Sequence, residues 1–245
     1  MSKSEDRCRI FWDQRASSYG LNYQASYTSN LKFLLLERLA EPNYICVDIG
    51  IANGIFSLPL ASKVREIHGV DISPSMLAEC RANMTKHGIH NIHLYQASAE
   101  HLPFSRSFAD LIYSFSTLLL VPDIRRAFTE IARVLKPGGL AVLDITGKYN
   151  LSRVYWDRYY RNVIQRGIRY FSFREAVNLF AGFQILEIHP TGLCDQWKYV
   201  PGLKRLKRLE NIYHRTSDKP DWDYALSRLF PSLANRWYFV VKKEE

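Results

Sequence analysis

With 245 residues, 47% hydrophobic and 23% charged, the chain has the size and composition of a folded protein, which excludes a mainly disordered one. Lys and Arg (33) outnumber Asp and Glu (24), for a formal net charge of +9, and the excess is uneven. Residues 1–146 hold 15 basic and 14 acidic side chains, whereas residues 147–245 hold 18 and 10, together with 19 of the 33 aromatics, so an anionic partner would be met by the back of the chain and not by all of it.

No apolar run approaches the roughly 18–20 residues of a membrane span. The first thirteen residues are charged and lack the apolar core of a secretion leader, so a cytoplasmic location is expected. Cys8, Cys46, Cys80 and Cys194 form no CxxC pair, so no metal site and no redox motif is expected, and Cys46 reads as a buried thiol.

In chain order, residues 44–49 read as a buried strand ended by Gly50, residues 55–63 as a helix, and residues 66–71 as a second strand. Ser73-Pro74 is a helix start, with the hydroxyl as cap and the proline in the first turn, and this helix should stop at Gly88. Residues 91–97 and 109–114 are the third and fourth strands. Asp123 caps a helix with Ile124, Ala127, Phe128, Ile131, Val134 and Leu135 on one face, and Pro137-Gly138-Gly139 ends it before a fifth strand at 140–145. An aromatic-rich helix is expected at 151–165, and Ser172 to Glu175 forms a capping box before another at 176–180. Residues 183–189 and 236–242 are the sixth and last strands. The stretch between them is too long for a plain loop and reads as an ordered insertion. Strands alternating with helices predict an α/β, Rossmann-like, seven-stranded and mostly parallel sheet, with helices on both faces and an insertion before the last strand.

The most informative stretch is Val47-Asp48-Ile49-Gly50-Ile51-Ala52-Asn53-Gly54, which leaves a strand and enters a helix. Glycines there let the backbone turn tightly and approach a ligand. The second strand ends in Asp71, where a carboxylate can accept both hydroxyls of a ribose. The dinucleotide fingerprint G-x-G-x-x-G fails, because Ala52 and Ile55 stand where glycines should, and there is no triphosphate loop. Asp48 beside the loop would repel a pyrophosphate and attract an ammonium. These charges favour S-adenosylmethionine, which carries an adenosine, a sulfonium and an ammonium and no phosphate.

On these residues the chain resembles class I S-adenosylmethionine-dependent methyltransferases of the small-molecule-like type 11 kind, over roughly residues 40–146. The resemblance rests on four ordered motifs: Asp48-x-Gly50-x-x-x-Gly54; Asp71; Ser98-Ala99-Glu100-His101-Leu102-Pro103-Phe104; and the run from Asp110 through Ser114, Leu118 and Val121-Pro122-Asp123 to Glu130–Gly139. It implies that Asp48, Gly50 and Gly54 hold the methionine end and Asp71 the ribose, with Ala52 of the same loop also in the cofactor-binding set. Backbone near Ala99 and Glu100 would hold the adenine, with Ile72 and Met76 against its ring, while Ser98 and Ser114 complete the set. Phe11 to Tyr19 resembles the family's lid helix, with Tyr19 over the methionine end.

The departures carry information too. The family often has Asp where Ser98 stands, and a hydroxyl accepts from the adenine amine more weakly. It often has His near 119–120, where this chain has Leu119 and Leu120. Ser114-Phe115-Ser116-Thr117 is not the Asn/Asp-Pro-Pro-aromatic signature of enzymes that methylate planar exocyclic amines. His189 and His214 are candidates for a general base. No catalytic residue is assigned.

The chain is thus read as one methyltransferase domain over 1–245: lid helices at 1–40, a cofactor-binding core at 41–146, acceptor-side helices and the sixth strand at 147–189, a basic insertion at 190–234, and the last strand at 235–245. The expected acceptor is a small molecule or a lipid- or sugar-linked one. Tyr149 to Tyr170 reads either as a wall of its pocket or as a helix with a solvated Arg face. Leu203-Lys204-Arg205-Leu206-Lys207-Arg208-Leu209, a Leu stripe opposite cations, leaves open a helix packed on the domain, a peripheral contact with an anionic membrane surface, or an RNA contact. Two other readings stay open, a non-catalytic binding module at a membrane or RNA surface and an RNA methyltransferase, although nucleic acid is disfavoured. The oligomeric state is not legible.

Overall fold

A computed structural model describes residues 3–20, 27–193 and 221–245. Its centre is a seven-stranded sheet: β1 (Ile45–Ile49), β2 (Glu66–Asp71), β3 (Ile92–Gln96), β4 (Ala109–Ser114), β5 (Leu135–Thr146), β6 (Phe183–Thr191) and β7 (Arg236–Lys243), in the order β3-β2-β1-β4-β5-β7-β6. The first five strands pair in parallel, and β7 runs antiparallel between β5 and β6. The described helices are α1 (Lys3–Asp13), α2 (Tyr27–Leu39), α3 (Ser57–Leu60), α4 (Pro74–His87), α5 (Ile124–Val134), α6 (Arg153–Ile164), α7 (Phe173–Asn178) and α8 (Trp222–Leu229).

The strands are apolar on both faces because helices cover both. Val47, Ile49, Ile112, Leu143 and Phe239 pack on one side against Ile124, Ala127, Phe128 and Ile131 of α5 and Ala176 of α7. Alternate residues Cys46, Ile67, Leu111, Tyr113 and Val240 pack on the other side against Leu31, Leu35 and Leu36 of α2, Leu77 and Cys80 of α4, and Tyr224 of α8. A smaller cluster of Cys8, Phe11, Leu119, Leu120 and Ile164 seats α1 on α6 across one end of the sheet.

The expected capping chemistry is present. Ser73 Oγ accepts from the Met76 amide, Asp123 from the Arg125 and Arg126 amides, and the Ser172–Glu175 box closes in both directions. Three boundaries differ from the expectation. The helix at 55–63 shortens to Ser57–Leu60 followed by a 3-10 turn, since Pro59 admits only the first turn of a helix. The Pro-Gly-Gly segment does not separate α5 from the fifth strand, because β5 starts at Leu135 and crosses it with a register shift opposite Ala109 and Leu111. Pro190 and Thr191 extend β6 beyond the expected 189, paired with Trp237 and Arg236, into the stretch read as an insertion. Its basic Leu stripe, His214 and Cys194 lie outside the described residues. No described helix is long and apolar enough to cross a membrane.

Candidate functional site

The carboxyl ends of β1, β2 and β4 open onto a cavity of about 270 Å³. Gly50 closes its floor. At φ +84° its backbone is in the left-handed region, and a Cβ there would sit 2.0 Å from Thr117 Oγ1, so only glycine fits. The Gly50 and Ile51 amides both donate to Val70 O, at 2.7 and 3.1 Å, the Gly54 amide donates to Ile51 O at 2.9 Å, and the Ala52 amide donates to Asp71 Oδ2 at 3.0 Å. These amides are therefore consumed inside the fold. With these four engaged, the loop lacks the run of free amides by which phosphate-binding loops cradle a pyrophosphate, and this fits a ligand without phosphate.

Asp71 stands at the cavity wall, oriented at one oxygen by Ala52 and at the other by the Ser73 amide (2.9 Å). Burial pushes it up to about 6, against these backbone hydrogen bonds. Ile72, Met76, Ala97, Ser98 and Ala99 continue the wall toward one end. There Ser98 Oγ donates to Glu5 Oε1 of α1 at 2.6 Å, which brings a buried carboxylate to the place where the sequence had only a hydroxyl. Trp12 and Tyr19 line the cavity from above, their rings edge to face at 5.8 Å. Asp13 ties this helix down: Ser73 Oγ (2.6 Å) and the Ser75 amide (3.2 Å) both donate to its Oδ1.

A second cavity of about 220 Å³ shares Ser116, Tyr160 and Arg236 with the first. Its wall holds Lys32 of α2, Trp156 and Tyr160 of α6, Tyr170, and Tyr238 of β7. Arg236 pairs with the buried Asp144 of β5 and donates to Ser116 Oγ at 3.0 Å. The Ser116 amide donates to Asp144 at 2.9 Å. Ser116 itself is held at φ +59° and Ala52 at φ +50°, two of the four described non-glycine residues with positive φ, and both line the first cavity. Such strain persists where the surroundings over-determine it.

The expected residues divide into two groups. Tyr19, Gly50, Ala52, Asp71, Ile72, Met76, Ser98 and Ala99 line the first cavity, whereas Asp48, Gly54, Glu100 and Ser114 do not. Asp48 is sealed behind the loop, accepting from Ser57 Oγ at 2.6 Å, and burial pushes it up to about 7, with the Asp71 charge adding to the rise. Gly54 makes room for Leu58 and Cys80 beneath the loop. Glu100 accepts from the Asp123 amide, and Ser114 donates to Ile49 O. His189 lines neither cavity; its two ring nitrogens meet Tyr224 (2.7 Å) and Glu187 (2.8 Å). Glu5, Lys32 and Arg236 were not singled out from the sequence. A lone Lys in an apolar helix and a lone Asp in a buried strand were the available signals for the second cavity.

Residues 47–143 match the family model described as "Methyltransferase domain". The aklanonic acid methyltransferase DauC of Streptomyces sp. strain C5 is 34% identical over 96 residues, covering 38% of this chain and 44% of that protein. The chain spans less than two thirds of the length of the first curated relatives it matches. In fold it is similar to the Haemonchus contortus phosphoethanolamine N-methyltransferase 2 in complex with S-adenosyl-L-methionine, with a TM-score of 0.62 and 21% identity over 89% of this chain and 53% of that one. It is also similar in fold to the [4+2]-cyclase SpnF, with a TM-score of 0.64 and 18% identity over 91% and 84%. Residues 47–143 thus match a methyltransferase domain by sequence, and the described residues share the Rossmann-like fold of these solved structures.

Proposed function

We propose that this chain transfers a methyl group from S-adenosylmethionine to a small-molecule acceptor. The observation that carries this reading is the pairing of Asp71 with a glycine loop in which the amides of Gly50, Ile51, Ala52 and Gly54 are already engaged inside the fold. One element accepts from a ribose and the other refuses a pyrophosphate. When bound, the cofactor would supply a methyl group on a sulfonium sulfur, its carbon open to in-line displacement with the thioether leaving.

On this reading Asp71, with both oxygens oriented by backbone amides, accepts the ribose hydroxyls. Ile72 and Met76 pack against the adenine, and Glu5, held by Ser98, accepts from its amine. Asp48 faces no ligand directly; a cationic methionine end would favour the ionised form of its carboxyl, which burial raises to about 7. Trp12 and Tyr19 exclude water from the reacting carbon. The acceptor occupies the second cavity, which joins the first at Ser116, Tyr160 and Arg236. Much of the rate then comes from positioning and a dry site.

Calorimetric titration with S-adenosylhomocysteine tests the reading. Wild-type protein is expected to bind, and Asp71→Ala to bind at least tenfold more weakly, the loss of about two hydrogen bonds to a charged acceptor. Folded wild-type protein that binds none would refute it.

A further inference from the structure

Lys32 is the least explained cation among the described residues that line either cavity. Its amine is ringed by Phe56, Phe115 and Tyr238, at 5.3, 5.7 and 5.8 Å from their centroids, and no described carboxylate pairs with it. The charged groups that act on it are Arg236 and Asp144, and they already satisfy each other. Burial, with the Arg236 charge adding to it, pulls the Lys32 amine down to about 8, so the ammonium is kept in place at a price that a ligand's charge could offset. The ring faces stabilise this ammonium in part, and with no described carboxylate beside it the setting favours an anion, from which a desolvated charge gains more.

The charge balance sets the size of that anion. Lys32 and Arg236 are positive and Asp144 is negative, so the cavity carries one uncompensated positive charge. One negative charge closes it, whereas a dianion would leave an excess of the opposite sign. The walls set the rest: Trp156, Tyr160, Tyr170 and Tyr238 offer ring faces and edges to a flat, apolar body. We infer that the second cavity binds a carboxylate-bearing, aromatic or otherwise planar acceptor, anchored by Lys32 through its carboxylate while Arg236 and Ser116 stand at the junction with the first cavity. The carboxylate is the handle and not the methylated group. This inference rests on the proposed methyltransferase reading for its meaning but not for its test.

The test is calorimetry on the full chain saturated with S-adenosylhomocysteine, using 4-hydroxybenzoate, its neutral amide and 4-hydroxyphenyl phosphate as probes. The carboxylate is expected to bind, the amide at least tenfold more weakly, and the phosphate no more tightly than the carboxylate. Lys32→Met keeps the apolar stem and is expected to lose the carboxylate by at least tenfold while binding S-adenosylhomocysteine as the wild type does, which also shows that it is folded. Lys32→Arg is expected to retain most of the carboxylate affinity. Equal binding of carboxylate and amide, an unaltered Lys32→Met, or no carboxylate binding would overturn the inference, and tighter phosphate binding would overturn the monoanion assignment. If the wild type binds no S-adenosylhomocysteine, the methyltransferase reading fails separately, and the same titrations without it judge the carboxylate site by the same outcomes.

Discussion

At the scale of single residues, Asp48 carries a liability that the ligand-free fold has to absorb. Its carboxyl is buried, held by the Ser57 hydroxyl, and raised to about 7. An unfolded Asp titrates near 4, so between about pH 4 and pH 7 the folded chain holds a proton that the unfolded chain releases. The stability that this proton contributes is complete below about pH 4 and lost as the pH rises through 7. Asp71, raised to about 6, acts in the same direction. Every tenfold gain in proton affinity on folding corresponds to about 1.4 kcal/mol. Asp48→Asn removes the titration and is expected to raise the melting temperature of ligand-free protein by several degrees at pH 8 and by clearly less at pH 5. Thermal melts at the two pH values check this, and an unchanged pH dependence in the variant would contradict it. The same reasoning explains why Asp48 was legible in the sequence as part of a cofactor motif while its geometry was not: the motif fixes which residue stands there, but only packing decides that Ser57, nine residues on, turns it away from the cavity.

At the scale of elements, α1 does more than cover the site. It brings Glu5 to Ser98, Trp12 and Cys8 to the cavity wall, and Asp13 to the start of α4, where it meets Ser73 and Ser75. Asp13→Ala removes two hydrogen bonds that join α1 to α4, worth on the order of 1–3 kcal/mol of local stability. Binding of S-adenosylhomocysteine is expected to weaken about three- to tenfold, and the α1 amides to exchange hydrogen faster. Unchanged affinity and exchange would show that the helix is held by its apolar face alone. The strands were legible because each is a short apolar run bounded by turn residues, and the caps because Ser73, Asp123 and Ser172 sit beside the helices they start. The α1 contacts were not, since Glu5 and Ser98 are 93 positions apart and nothing local in either residue indicates the other. The same holds for Arg236 and Asp144, separated by 92 positions.

At the scale of the whole molecule, the uneven charge becomes a statement about which binding event salt can reach. The cofactor-side wall comes mostly from the nearly neutral residues 1–146, and the +9 excess lies almost entirely behind it. S-adenosylhomocysteine affinity is therefore expected to change by less than about threefold between 50 and 300 mM salt, where screening of surface charge is already strong. Titrations at the two concentrations check this; a steep loss would mean that surface cations take part. The sheet order has a consequence of another kind. β7 lies between β5 and β6, so β6 has no neighbour in the sheet until residues 236–243 have paired. Arg236 opens that strand, and its ion pair with Asp144 completes the junction between the two cavities. Pairings of high sequence separation form late, because the loop between them must close first. In this chain the second cavity is assembled by the same step that completes the sheet, and a partly folded chain would hold the wall of the first cavity without the second.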